Sequence, residues 1–184
     1  MHKKKNILKK TKCYLIGSME NIDGRSWRTK IKHSLEGRNI TFLDPYIKPF
    51  VKNIPEDETS RGEMLHWRET GQYDMLAQRM GAVRADDLRC IDLSDWLIAM
   101  VNPKIASWGS GEEIPTAIKE KKPLFLIVDD PKGIAACPLW FFGVLPHKYI
   151  YSSIEDAVET IKSIDDGKIK LSSDRWHLLK EEYR

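Results

Sequence analysis

Residues 107–117 read SWGSGEEIPTA, placing two serines and two glycines ahead of paired glutamates where a helical pattern opens. Such a turn, following an apolar strand, offers free backbone N–H groups and the positive end of a helix dipole, and so suits an anion such as phosphate. Gly109 and Gly111 permit close backbone approach, and Ser107 and Ser110 supply hydroxyl donors. The stretch has neither the G-K-[ST] of a Walker A loop nor G-x-G-x-x-G spacing, which argues against a nucleoside triphosphate or a dinucleotide. Upstream, RADDLRCIDLSDWLIAMV places Asp87 at the start of a helix leading into the strand before this turn. Helix and turn should then end near one sheet edge and bring two carboxylates together. Two carboxylates in one cleft suit glycosyl chemistry, since one attacks an anomeric carbon while the other manages the proton of the departing group. A glutamate in a first helical turn also serves simply to complement the dipole. Asp86, Asp92, Asp95 and Glu112 have weaker claims: the first two are expected to face solvent, Asp95 to cap the helix or orient the turn, and Glu112 to be a solvated neighbour.

The elements that must position these residues are visible as alternating patterns. Short apolar runs at 13–17, 40–44, 96–101, 123–128 and 148–152 read as buried strands. Helices are expected at 24–36, 84–94, 113–121 and 153–163, the last capped by Ser153, with a further one at 174–182. Alternation of this kind predicts a doubly wound, flavodoxin- or Rossmann-like parallel sheet of about five strands with helices on both faces. Ligands of such sheets bind beyond the carboxyl ends of the strands, here IGSMENIDG, LDPY, MVNPKIASWGSGEE and IVDDPKG. The segment 47–83 is the least regular and reads as an insertion covering a site, with a helix within EMLHWRETGQYDMLAQRM.

At 184 residues the chain is long enough for one α/β domain. The expected division is a basic tail over 1–12, a domain over 13–165 and a C-terminal extension over 166–184. Thirty Lys and Arg against 27 Asp and Glu leave a net charge of +3, most of it ordinary surface. Six lysines within the first twelve residues form a tail that is read as solubilising, so nucleic acid is not an expected partner. Cys13, Cys90 and Cys137 show no C-x-x-C pairing, and the five histidines are scattered singly; no metal and no cofactor are expected. The apolar runs are too short to span a bilayer and no signal-peptide core follows the lysines, which points to the cytoplasm and away from membranes.

Three motifs in order resemble the nucleoside 2-deoxyribosyltransferase family, and among its branches the nucleoside 5′-monophosphate N-glycosidases, over Cys13 to about Pro138. CYLIGSMENIDGR resembles the branch's opening strand and loop, which implies a cradle for ribose and 5′-phosphate made of Tyr14, Gly17, Ser18, Asp23, Gly24 and Arg25. DDLRCIDLSDWLIAMV resembles the pattern that leads into a strand from the family's catalytic aspartate, here Asp87. SWGSGEEIPTA resembles S-x-G-x-G-x-E-(hydrophobic)-x-x-A, which makes Glu113 rather than Glu112 the nucleophile and Ser107 a phosphate ligand, with Gly109 and Gly111 beside it. Serine where the deoxyribosyltransferases proper usually carry aspartate points to a monophosphate. The chain departs from the family at Pro115, which stands for a glycine, and in the long 47–83 segment.

The resemblance implies a retaining reaction that releases base and (deoxy)ribose 5-phosphate, with base transfer, NAD glycohydrolysis and non-catalytic nucleotide sensing as alternatives. It also implies a homodimer or higher homo-oligomer in which a neighbouring subunit lends a Ser or Asn. The corresponding region, IAACPLWFFG, has no clear equivalent of that residue, and its apolar run reads either as an interface patch or as an ordinary buried helix. Trp27, Tyr46, Trp67 and Tyr73 are the aromatics available to sandwich a base, and Tyr14 and Trp27 are taken as its contacts.

Overall fold

The computed structural model describes residues 6–19, 24–47 and 56–170. Asp23 and the helix expected at 174–182 lie outside the described residues, as does the stretch 48–55 of the expected insertion.

Five strands, β1 (Lys12–Gly17), β2 (Thr41–Leu43), β3 (Trp96–Val101), β4 (Leu124–Val128) and β5 (Ile150–Tyr151), form one parallel sheet in the order β2-β1-β3-β4-β5. The central strands are apolar at every position of LIAM and LFLIV because both of their faces are covered. Helices α1 (Gly24–Ser34) and α6 (Ile154–Asp165) pack together, as do α3 (Tyr73–Leu93) and α4 (Trp108–Lys119). Right-handed crossovers that leave β1 in one direction and β3 in the other place these two pairs on opposite faces. The fold is therefore the doubly wound α/β sheet expected from the alternation. Its strand order reverses between β1 and β3, which makes the carboxyl ends of those two strands the topological switch point. Edge-to-face contacts of Phe125 with Trp96 and Tyr149, each at 5.7 Å between centroids, fill the opposite end of the core.

Two helix boundaries differ from expectation, and both differences bear on the site. The insertion is not one helix over 63–80 but α2 (Glu58–Glu69) followed by α3. Asp57 and Ser60 form a capping box at the start of α2, and Gly71, at φ +75°, takes the left-handed conformation that stops it. From Tyr73 the chain then runs unbroken to Leu93, so Asp87 sits deep in a 21-residue helix and not at the start of a short one. Likewise α4 begins at Trp108, which makes the glycine-rich turn its first turns and puts Glu113 inside the helix.

The described part of the expected basic tail belongs to the fold. Leu8 is 1% exposed; its N–H donates to Asp165 Oδ1 at 2.8 Å, and Ile7 N–H donates to the Asp165 carbonyl at 3.0 Å. Arg38 binds Asp165 and Asp166 from the other side. The sequence pattern misplaces this boundary because lysines at 9, 10 and 12 mask a single anchoring leucine. A short helix α5 (Leu139–Val144) follows β4 and exposes Leu139 and Trp140, at 87% and 80%.

Candidate active site

A cleft of about 220 Å³ opens at the switch point, lined from β1 by Tyr14 and Gly17, from the residues just past it by Ser18 and Met19, from α3 by Met80, Val83 and Asp87, and from the start of α4 by Ser107, Gly109, Ser110 and Glu113. Both carboxylates singled out in the sequence thus face one space, together with Ser107 and the hydroxyl-rich turn.

Glu113 is 8% exposed, and the fully buried Tyr14 donates its phenol proton to Oε1 at 2.5 Å. Burial foremost, then the charges of Glu113 and Asp87, hold the Tyr14 phenol well above its ordinary pKa. It therefore stays a proton donor across the neutral range, and a charge-assisted bond of this kind fixes the carboxylate's orientation. Alternation along β1 aims residue 14 at the face where α3 and α4 pack, so the pair is a consequence of strand period and helix placement together. Glu112, one residue earlier, points elsewhere and makes a two-point ion pair with Arg84 of α3, with Nε to Oε2 at 2.7 Å. That pair holds the Glu112 carboxyl below its usual range. The geometry thus separates the adjacent glutamates, one buried in the cleft and the other tied down at the surface.

The α4 start is unusual for what it omits. Ser107 occupies the N-cap, yet its side chain makes no capping bond to the helix backbone; its hydroxyl donates instead to Ser110 Oγ at 3.0 Å. Neither Gly109 nor Gly111 has a positive φ, and a Cβ at either would meet nothing within 4 Å. A second cavity of about 200 Å³ shares Ser18, Ser107 and Ser110 with the cleft and extends it towards Asn102 and Phe141. Pro115 lies within α4 and has no N–H to return to the Gly111 carbonyl, which further loosens the helical claim on this turn.

The β1–α1 side fares differently from expectation. Gly17 lines the cleft, Gly24 does not, and both are required by packing: a Cβ would lie 2.8 Å from Trp27 Cζ2 at Gly17 and 2.7 Å from the Ser18 carbonyl at Gly24. Trp27, expected as a base contact, is 6% exposed, packs beneath Gly17 and is not among the residues lining the cleft. The α1 face that carries it is simply the apolar face of an amphipathic helix. Arg25 stacks over the ring of Tyr46 at 4.6 Å and does not line the cleft either. Tyr46 receives Arg28 as well, at 5.3 Å, and Trp67 packs under Arg79 at 5.7 Å, so both aromatics have arginine partners.

Sequence reasoning missed Arg28. This guanidinium is 1% exposed and donates to the carbonyls of Gly24, Gly17 and Leu15, at 2.5, 2.9 and 3.3 Å. Burial lowers its pKa while Asp44, at 4.0 Å, opposes the shift. It ties the end of β1 to α1 and places a positive charge behind Tyr14 and Glu113. Nothing in the local pattern distinguishes it from the other cations of WRTKIKH. Met19, Glu56, Met80, Val83 and the 89% exposed Trp108 are further cleft residues without a sequence signature.

Among the remaining acids, Asp86 is 1% exposed and not solvent-facing, because the helical stripe that buries Cys90 also passes through residue 86. Asp92 is exposed beside Arg89, as expected of a surface residue. Asp95 caps no helix; it accepts from Lys12 N–H at 2.7 Å and joins the starts of β1 and β3, while Ser94 closes α3. Among the described residues no group of His, Cys, Asp and Glu is placed to hold a metal ion, and no helix is long and apolar enough to cross a membrane. No family model and no curated protein sequence matches the chain.

Proposed function

We propose that the chain hydrolyses the N-glycosidic bond of a (deoxy)nucleoside 5′-monophosphate, yielding free base and (deoxy)ribose 5-phosphate. The observation that carries this reading is the buried Glu113, held by the Tyr14 phenol, in one cleft with Asp87 and the Ser107–Ser110 hydroxyl pair. Glu113 attacks C1′ as the C1′–N bond breaks, giving a glycosyl ester, and Asp87 manages the proton on the departing base. Water then adds at C1′, the ester bond breaks and the Glu113 carboxylate is regenerated. The neutral Tyr14 donates to a carboxylate whose charge is lost in the first step and restored in the second. The 5′-phosphate lies at the first turns of α4, where the dipole, the open glycines and both hydroxyls favour an anion. An acidic nucleophile is of no use to a protein that only binds phosphate, which disfavours a sensor. The assembly we propose is a homodimer in which a second copy covers Leu139 and Trp140.

The test is to incubate the purified protein with ribo- and deoxyribonucleoside 5′-monophosphates, with and without free bases, and to separate the products by chromatography. Base release should fall at least about a thousandfold in Glu113→Gln and survive in Glu112→Gln, whose carboxylate is spent on Arg84. Binding without turnover of any nucleotide, NAD included, would overturn the proposal.

A further inference from the structure

Between α2 and α3 lies a cavity of about 470 Å³ that the chemistry above does not use. It is bounded by two matched helical stripes. Asp57, Arg61, Met64 and Arg68 follow one face of α2, and Leu76, Met80 and Val83 follow one face of α3, with Asp87 continuing the second stripe into the cleft. Met19, Glu56, Met80 and Val83 line both spaces, so the cavity adjoins the cleft. The charged groups nearest the junction have structural roles, since Asp57 caps α2 through Ser60 and Arg61 donates to the Met19 carbonyl. Glu56 and Arg68 also line the cavity; the rest of its walls, Met19, Met64, Leu65, Leu76, Met80 and Val83, is aliphatic and thioether surface, the adaptable lining that takes irregular apolar groups.

These relations give the whole space a direction. Hydroxyls and the helix dipole mark one end, the carboxylates the middle, and the methionines the other end. A nucleotide with phosphate at Ser107 and C1′ at Glu113 must send its base past Asp87 over Val83 and Met80. From Asp87 back to Leu76 the α3 stripe extends about 16 Å at 1.5 Å per residue, well past the edge of an unsubstituted two-ring base. The cleft alone is smaller than ordinary ligand pockets, of roughly 300–1,000 Å³, whereas the α2–α3 cavity falls within that range. We infer that the α2–α3 hairpin forms a leaving-group compartment, and that the preferred substrate is a nucleoside 5′-monophosphate whose base carries an extended apolar substituent lodged between Met64 and Met80. The orientation rests on the glycosidase reading; the compartment itself does not.

Two measurements separate those layers. The first compares the Kd of AMP and of N6-benzyladenosine 5′-monophosphate by calorimetry on the full chain carrying Glu113→Gln; the second compares kcat/KM for the same pair on the unaltered protein. Burying even ~60 Å² of apolar substituent corresponds to about a tenfold preference for the benzylated nucleotide. That ratio should be kept in Met64→Leu and fall to about one in Met64→Asp, with circular dichroism confirming that both variants fold. Equal or weaker binding of the benzylated nucleotide, or a ratio unmoved by Met64→Asp, overturns the compartment. Tighter binding of the benzylated nucleotide with no turnover of either supports the compartment and sinks the glycosidase reading; turnover of both with equal Kd and kcat/KM does the reverse.

Discussion

At Gly17 and Gly24 an added Cβ would lie within 3 Å of Trp27 or of the Ser18 carbonyl, whereas at Gly109 and Gly111 it would meet nothing within 4 Å. Gly17 and Gly109 line the cleft and Gly111 the cavity beside it, so the contrast is between the β1–α1 side and the β3–α4 side. Packing alone accounts for the first. For the second the fold gives no reason, and a glycine inside a helix costs up to about 1 kcal/mol relative to alanine. The same division runs through the polar groups. Arg28 spends its donors on backbone carbonyls and stabilises the frame, while the Ser107 hydroxyl leaves its helix uncapped and bonds to Ser110. One side of the cleft is thus scaffold, and the other withholds its groups from the fold.

Substitutions can break or sharpen this contrast. The largest effect belongs to Arg28→Met, which removes a charged donor from three buried carbonyls while Asp44 keeps Lys32 at 2.6 Å; urea unfolding should show a loss of about 3–5 kcal/mol, and a loss below about 1 kcal/mol would remove Arg28 from the scaffold. Gly17→Ala should follow, at about 1–3 kcal/mol, because Trp27 and the Met100 carbonyl leave no room for a methyl group. Gly111→Ala should act with the opposite sign, stabilising by up to about 1 kcal/mol while lowering kcat/KM for monophosphates; a destabilised variant would mean that this glycine serves the fold after all. Ser107→Ala should be the smallest in stability. An N-cap serine is usually worth about 1 kcal/mol, but this one makes no cap bond, so the change should stay within about 0.5 kcal/mol while KM for the monophosphate rises.

All five strands and the parallel sheet were legible in the sequence, because buried parallel strands are continuous apolar runs separated by amphipathic stretches. The placement of Glu113, Asp87 and Ser107 in one cleft followed from that topology, since consecutive elements of an α/β sheet return to the same edge. What escaped was set by contacts distant in sequence. The break at Gly71 and the unbroken run from Tyr73 to Leu93 depend on packing between α2 and α3, which local periodicity does not contain. Trp27 was misjudged for a similar reason: a tryptophan on an amphipathic face looks the same whether it meets a ligand or a strand. Arg28 and Asp86 were invisible because burying a charge is a property of the neighbourhood rather than of the residue.

The anchoring of the amino end on Asp165 also imposes an order on synthesis. Leu8 precedes its partner by 157 residues, and Lys12 precedes Asp95 by 83. At translation rates of roughly 5–20 residues per second, Leu8 is added to the chain some 8 to 30 s before the carboxylate that docks it has been made. Throughout that interval Leu8 lacks its partner, while β1 waits only for β2 and then β3, so a nascent chain paused before β3 exposes the segment most in need of a chaperone.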